Sequence, residues 1–505
     1  MIFNSPTLDY TLLAPILIIL AGALIGVLIE AFVGKTRRPA VQLSVALASL
    51  VLALIQVIRI RDLSSTTAAM GSVIIDGPGL LFQGAILIIA IISIFLIADQ
   101  DNFTASPAAL PGSDEERQAT QSGTVLTEIY PLTLFAVAGM LLFPVASDLI
   151  TLFVALEVLS LPLYLMAGLS RHRRLASQEA ALKYFLLGAF SSAFFLFGSA
   201  YLYGYAGTVS FAGIHAAVVG GTGNDVILLL GVALVAIGLL FKVGAVPFHA
   251  WSPDVYQGAP TPITGFMAAA TKVAAFGAML RLFYSVLAEA QWQWRPFFMV
   301  IAIITMIFGS LVALSQRDVK RMLAYSSIAH AGFLLTGVIA LNKAGLEASI
   351  YYLFAYGVAT VGAFGIVTLV RDSSGEVSDL NRWAGLGKRS PWVASAFAFF
   401  LLAFAGIPLT SGFIGKFAIF SAAYESGATA VVIVGVLSSA IAAFFYIRVI
   451  VLMFFTDATE DGTSVVIPSI LTRLTIFISL AITVALGVFP APLLDFIKPL
   501  AIFIR

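Results

Sequence analysis

Eight ionisable side chains stand in stretches that are otherwise apolar: Glu157, Lys183, Lys242, Lys272, Arg281, His330, Lys416 and Arg448. A lysine at bilayer depth costs about 2.5–3.5 kcal/mol by insertion scales, so such a residue marks a functional hypothesis by default. Burial lowers a lysine's proton affinity from its ordinary pKa of about 10.4, and a nearby carboxylate restores it. A buried lysine whose carboxylate neighbour can approach and withdraw therefore takes up and releases a proton on geometry alone. Lys242 and Lys272 lie thirty positions apart, on consecutive apolar segments joined by a proline-rich break. Histidine titrates near neutrality and passes a proton through either ring nitrogen, which suits His330 and His249 to the same chemistry. Arginine stays charged, so Arg281 and Arg448 snorkel or pair structurally and do not relay.

Each of these residues also has a plainer reading. Glu157 either pairs with a lysine or stays a neutral acid bonded to a backbone carbonyl. Lys183, near the start of its span and four residues after Glu179, can snorkel to the headgroups. His330, with Ser326 and Ser327 on its helical face, can be a packed histidine, and His249, two residues after Pro247, can cap the break. Lys416 has Ser411, Gly412 and Gly415 around it, small residues that let backbones approach and leave room for water.

The elements that must position these groups are membrane helices. The chain has 505 residues, 60% of them hydrophobic and 10% charged, with a mean hydropathy of +1.03; soluble domains carry about 25% charged residues. A spanning helix needs about 20 apolar residues, and uninterrupted runs such as Leu12 to Ile29 and Leu80 to Ile97 select helices over a barrel. A formal charge of +1 argues against a nucleic-acid surface or a polybasic lipid anchor. The absence of cysteine excludes disulfides, cysteine-ligated iron–sulfur clusters and thioether-linked haem within the chain. His172, His215, His249 and His330 are too scattered to suggest a metal or haem site. The first apolar run has no basic segment or cleavage signature before it and reads as a retained span.

The expected fold class is all-α and integral to the membrane. About fourteen spans are expected, near 10–32, 40–60, 78–98, 128–146, 149–169, 180–205, 225–256, 261–287, 295–315, 318–341, 345–370, 391–424, 429–455 and 468–489. The seventh and twelfth are overlong and contain Pro247 and Pro408, so both read as broken helices. Their motifs, Gly244-Ala-Val-Pro247 and Gly406-Ile-Pro408, lie five spans apart, and an odd offset implies inverted repeats of the transporter kind. The organisation that follows is a three-helix segment (1–100), a polar loop (101–127), five-helix repeats at 128–290 and 291–456, and a C-terminal helix and tail (457–505). The Asp-, Ser- and Pro-rich stretch Asp99 to Gly123 reads as a mobile, solvated loop. Basic residues divide about fifteen to six between alternate loops, which places both termini on the outer side.

Five stretches carry a resemblance: LEVLSLPLYLMAG around Glu157, EAALKYFLLGAFSSAFFLFG around Lys183, FKVGAVPFHAWSPDVYQGAPTPITGFMAAATK from Lys242 to Lys272, RMLAYSSIAHAGF around His330 and GIPLTSGFIGKF around Lys416. Together they resemble the antiporter-like, proton-conducting membrane subunits of respiratory NADH:quinone oxidoreductase, complex I, over nearly the whole chain. Length and detail are most similar to the N-type branch, the counterpart of mitochondrial and chloroplast subunit 2. No lateral helix follows the last span, and Lys416 stands where M-type members carry glutamate.

The resemblance implies Glu157 and Lys242 as an ion-pair switch, Lys183 as its modulator, Lys272 and His330 as a central relay and Lys416 as the terminal exchange residue. It also implies no cofactor in this chain, with NAD, FMN, iron–sulfur clusters and quinone in partner subunits. The implied partners are other membrane subunits, antiporter-like and small, and the lipid bilayer, with no nucleic acid. The implied setting is an energy-transducing membrane, the bacterial plasma membrane. The alternatives are an Mrp-type cation/proton antiporter subunit, a structural membrane spacer and, more remotely, a broken-helix solute transporter.

Overall fold

The computed structural model describes residues 8–504 apart from 64, 108, 111–112, 123, 172, 222, 373–374 and 458–462, so His172 lies outside the described residues. Six helices begin at an Asp or Asn whose side chain accepts a backbone N–H of the first turn: Asp9, Asp76, Asp148, Asn224, Asp318 and Asn342. These caps satisfy donors that the helix itself leaves unpaired.

Among the described residues, 12 helices are long and apolar enough to cross a membrane. They bear out a multi-pass, helical membrane protein, while the expected count of about fourteen is not reached by length alone. The difference has two sources. The fourth expected span is the short helix Ile129–Val145. The twelfth is divided into Pro391–Ala405 and Ser411–Glu425, each of 15 residues. The seventh is likewise divided, into Asp225–Val243 and Trp251–Gly258. Each break opens on a glycine in the left-handed region, Gly244 at φ +75 and Gly406 at φ +78, a conformation that terminates a helix without a Cβ clash. Strands are confined to connections: a pair formed by Thr66–Ala68 and Val73–Ile75, and a three-stranded patch in which Val370–Asp372 lies between Gly375–Glu376 and Ser464–Val465.

The packing centre is the Thr261–Val286 helix, all of whose apolar window is buried; Val319–Ala340 and Lys343–Val367 beside it are 94% buried, whereas Arg38–Leu63 and Thr429–Phe455 at the periphery are 33% buried. Close helix approach depends on small residues, as is usual in membranes. A Cβ on Gly198 would sit 2.6 Å from the Val235 backbone nitrogen of the neighbouring helix.

The described residues of the loop expected to be mobile are instead folded and tied down. It contains the helix Asp114–Gln121, capped by Ser113. The buried Arg174 guanidinium donates to the carbonyls of Ser106, Pro107 and Ala109 at 3.0–3.2 Å and to Glu116 at 2.9 Å. One guanidinium offers five donors in a fixed fork, enough to gather four acceptors from a chain that has no apolar core of its own.

Candidate functional site

Lys242, Lys272, His330 and Lys416 are each no more than 5% exposed. Lys242 occupies the last turn of Asp225–Val243, just before the Gly244 break. Its Nζ donates to Ser160 Oγ at 2.6 Å and lies 5.8 Å and 5.6 Å from the ring centroids of Tyr164 and Tyr184. Glu157, Ser160 and Tyr164 recur at helical spacing on Leu149–Ala167 and so face the same way. Glu157 Oε1 is buried with no hydrogen-bond partner among the described residues. The expected ion pair is therefore open in this structure: the ammonium rests on Ser160, one turn from the carboxylate.

Lys272 is held differently. It follows a π turn at Met267–Thr271 inside the central helix, and such widened turns recur at functional positions. Its Nζ donates to both the carbonyl and the hydroxyl of Ser327, with the Tyr356 ring 5.4 Å away. His330 lies one turn beyond Ser327. Its Nδ1 is 2.6 Å from the Tyr352 hydroxyl and its Nε2 3.4 Å from that of Tyr446, which also bonds Ser326, and the ring stacks on Tyr356 at 4.5 Å. Ser326 and Ser327 thus join the site not by bonding His330 but by binding its neighbours.

Lys416 follows the second break and reaches back across it. Its Nζ donates to the carbonyls of Phe404 and Ala405 at 2.8 Å and 3.1 Å, and to Ser439 Oγ at 2.9 Å. Those carbonyls end Pro391–Ala405, where the helix dipole favours a cation. Lys242 and Lys416 stand on opposite sides of their prolines in sequence, yet both ammonium-bearing side chains attend the C-terminal end of a helix stopped by a left-handed glycine.

Lys183 stands apart from this interior row. Its side chain is 42% exposed and pairs with Glu179 at 2.6 Å and Asp254 at 2.8 Å. Asp254 also receives Arg321 Nη1 at 2.7 Å, so three helices meet at one carboxylate. His249 lies within the first break against Phe308, at 4.7 Å between ring centroids, and its Nδ1 has no partner among the described residues. No hydrogen bond joins it to Lys242 or Lys272 among the described residues. Arg281 is fully buried and pairs through both terminal nitrogens with Asp76 at 2.6 Å and 2.9 Å, the structural alternative, while Arg448 donates to the Leu314 carbonyl at the exposed surface.

Sequence reasoning missed Asp254, Asp76 and the tyrosines. Tyr352 and Tyr356 are spaced one helical turn apart, a signal that could have placed both hydroxyls on one face.

The chain matches the family model described as "NADH:quinone oxidoreductase/Mrp antiporter, TM" over residues 146–442, a range that holds every one of the proposed site residues. It is 55% identical to the NADH-quinone oxidoreductase subunit N of Rhodococcus opacus, over 99% of this chain and 97% of that protein. A chain from the structure of respiratory complex I of Thermus thermophilus with bound aureothin is 31% identical, covers 95% of this chain and 98% of its own length, and superposes with a TM-score of 0.78. A chain of the Mrp complex from Dietzia sp. shares the fold, with a TM-score of 0.81 at 21% identity, 98% of this chain and 97% of that one being covered. By its motifs, its buried lysine row and near-complete alignment with these relatives, the chain belongs to the NADH-quinone oxidoreductase subunit N family.

Proposed function

We propose that this chain is a proton-translocating membrane subunit of an NADH:quinone oxidoreductase and that the row Glu157, Lys242, Lys272, His330 and Lys416 carries the proton. The observation that supports this reading most is the isolation of the row. The three lysines and the histidine are buried among hydroxyls and carbonyls, and no carboxylate lies within ion-pairing distance of any lysine in the row among the described residues. A purely structural buried charge would be paired, as Arg281 is. Lys242 sits between two possible acceptors, Ser160, which it bonds, and Glu157, whose Oε1 is vacant. Swinging towards Glu157 stabilises the ammonium; returning to Ser160 frees its proton to pass inward. Lys183, on the Asp254–Arg321 clamp, modulates the switch by fixing how the short helix after the first break stands against Arg174–Ala206 and Val319–Ala340. His249 is a secondary candidate within that break.

The chain carries no redox step in this reading. NAD, FMN, iron–sulfur clusters and quinone belong to partner subunits, and quinone reduction drives the row through adjoining membrane subunits, antiporter-like and small. The two broken elements correspond as inverted five-helix repeats, 128–290 and 291–456, in a fourteen-span arrangement within a bacterial plasma membrane, both termini outside.

The test is proton pumping by the assembled complex carrying Glu157→Gln or Lys242→Ala. Pumping and quinone reduction should fall together severalfold with assembly intact. Wild-type pumping in both variants would leave only a structural spacer. Sodium–proton exchange by the purified chain alone would favour the antiporter reading instead.

A further inference from the structure

A groove of about 760 Å³ opens between the starts of two apolar helices, Pro391–Ala405 and Ile470–Val488, and is walled by the strand Ser464–Val465. Its floor and outer lip are apolar: Val393, Leu474 and Phe477 run along the helices, with Trp392 at the mouth. At its polar end stand two guanidinium groups, Arg389 and Arg473.

Their bonding sets these two arginines apart from the other basic residues around them. Lys388 pairs with Asp457 at 2.9 Å, Arg382 with Asp372 at 2.6 Å and Arg371 with Asp101 at 3.7 Å. Arg389 instead donates to the carbonyls of Thr463, Ala384 and Arg382 at 2.8 Å, 2.6 Å and 3.3 Å, and Arg473 to that of Pro468 at 3.1 Å through Nε, with no bond to its terminal nitrogens among the described residues. Carbonyls orient a guanidinium without neutralising it. The groove therefore holds two uncompensated positive charges among the described residues, beside the positive ends of two helices.

We propose that this groove binds one anionic phospholipid, its phosphate between Arg389 and Arg473 and one acyl chain laid along Val393, Leu474 and Phe477. Two cations at the head of an apolar trough match the charge and the amphipathic form of that ligand, and Trp392 has the interfacial place its ring prefers. The basic loops place the groove at the inner surface, where anionic headgroups supply the complementary charge. A zwitterionic lipid fills the trough equally well but lacks the net charge that two guanidiniums without a carboxylate partner among the described residues recognise. The groove lies at the opposite end of Pro391–Ala405 from the carbonyls that hold Lys416, and its lipid binding does not depend on how the row works.

The probe is a photoactivatable phosphatidylglycerol, with the matching phosphatidylcholine as comparison, added to the assembled complex in nanodiscs. Adducts are mapped to peptides. Phosphatidylglycerol should label the segment 464–477 in preference to phosphatidylcholine. Arg389→Gln and Arg473→Gln should each reduce that labelling by about fivefold, the weight of one cation near an anionic surface. Lys388→Gln, which removes a neighbouring but paired charge, should leave it unchanged and guards against a general effect of charge or folding. Equal labelling by the two lipids, unchanged labelling in the Arg389→Gln/Arg473→Gln protein, or a groove sealed by a neighbouring protein subunit would each overturn the assignment.

Discussion

At the scale of single residues, two kinds of buried charge coexist, and they should respond differently to mutation. Arg281 and Asp76 form a closed pair, both no more than 1% exposed. Asp76 is tied further: it caps the next helix at Gly79 and accepts the Ile504 backbone N–H at 3.3 Å. Removing one member of such a pair strands the other, at a cost of about 3–5 kcal/mol. Asp76→Ala should therefore lower the melting temperature sharply, and Asp76→Leu combined with Arg281→Met should recover much, though not the cap. Lys272 has no such carboxylate. Its ammonium lies on Ser327 and faces Tyr356, so Lys272→Met exchanges a solitary charge for an isosteric apolar group. The expected result is near-normal thermal stability with proton pumping reduced at least severalfold. A melting temperature that collapses alongside pumping would instead give Lys272 a structural role. The row was legible in the sequence because a lysine in an apolar run is conspicuous by itself. The partners were not: a tyrosine in a membrane helix is unremarkable until its hydroxyl is seen against a histidine, and Arg281 finds Asp76 at a separation of 205 residues.

At the scale of elements, the two breaks invite a paired comparison. Both begin on a glycine at positive φ, where an L side chain costs about 1–2 kcal/mol. Around Gly244 there is room, the nearest atom to an added Cβ being Ser252 Cβ at 4.0 Å; at Gly406 the added Cβ would meet Lys416 Cδ at 3.0 Å. Gly244→Ala should thus register mainly as lost stability. Gly406→Ala should do the same and also push Lys416 off the Phe404 and Ala405 carbonyls, with a further fall in pumping. Measured side by side, the melting temperatures should match while the pumping rates diverge. The breaks could be read from Gly–Pro spacing because the local chain decides them, whereas the loop at 99–123 was misjudged because its order comes from elsewhere. Arg174 supplies it from the start of Arg174–Ala206, two membrane helices further along the chain, so Arg174→Ala should expose the Arg117 peptide bond to trypsin, seen as faster cleavage of the folded protein.

At the scale of the whole molecule, the interior row must be held at a fixed relation to the surface, and the Asp254 clamp is placed to do that. It joins Arg174–Ala206 through Lys183, the short helix after the first break through Asp254, and the start of Val319–Ala340 through Arg321. None of these three helices adjoins another in sequence, so the resemblance could imply a modulating role for Lys183 without its partner being foreseen; Asp254, near the end of the broken seventh span, signals nothing until the fold closes. The clamp has a pH signature. Two cations bear on the one Asp254 carboxylate, Lys183 at 2.8 Å and Arg321 at 2.7 Å, so the clamp needs that carboxyl ionised. A carboxylate held by cations in the folded state contributes stability that is complete where it is ionised, above the ordinary carboxylate pKa of about 3.9, and that is lost as acid protonates it. Between pH 5 and 8 the clamp should be constant. Below about pH 4 it should loosen, because protonated Asp254 can no longer serve two cations. Asp254→Asn should make the protein less stable at neutral pH and remove that part of the acid dependence, so the wild-type and variant melting curves should converge as the solution is acidified. If the gap between them instead stays constant down to pH 3, the carboxylate's charge is not what joins the three helices.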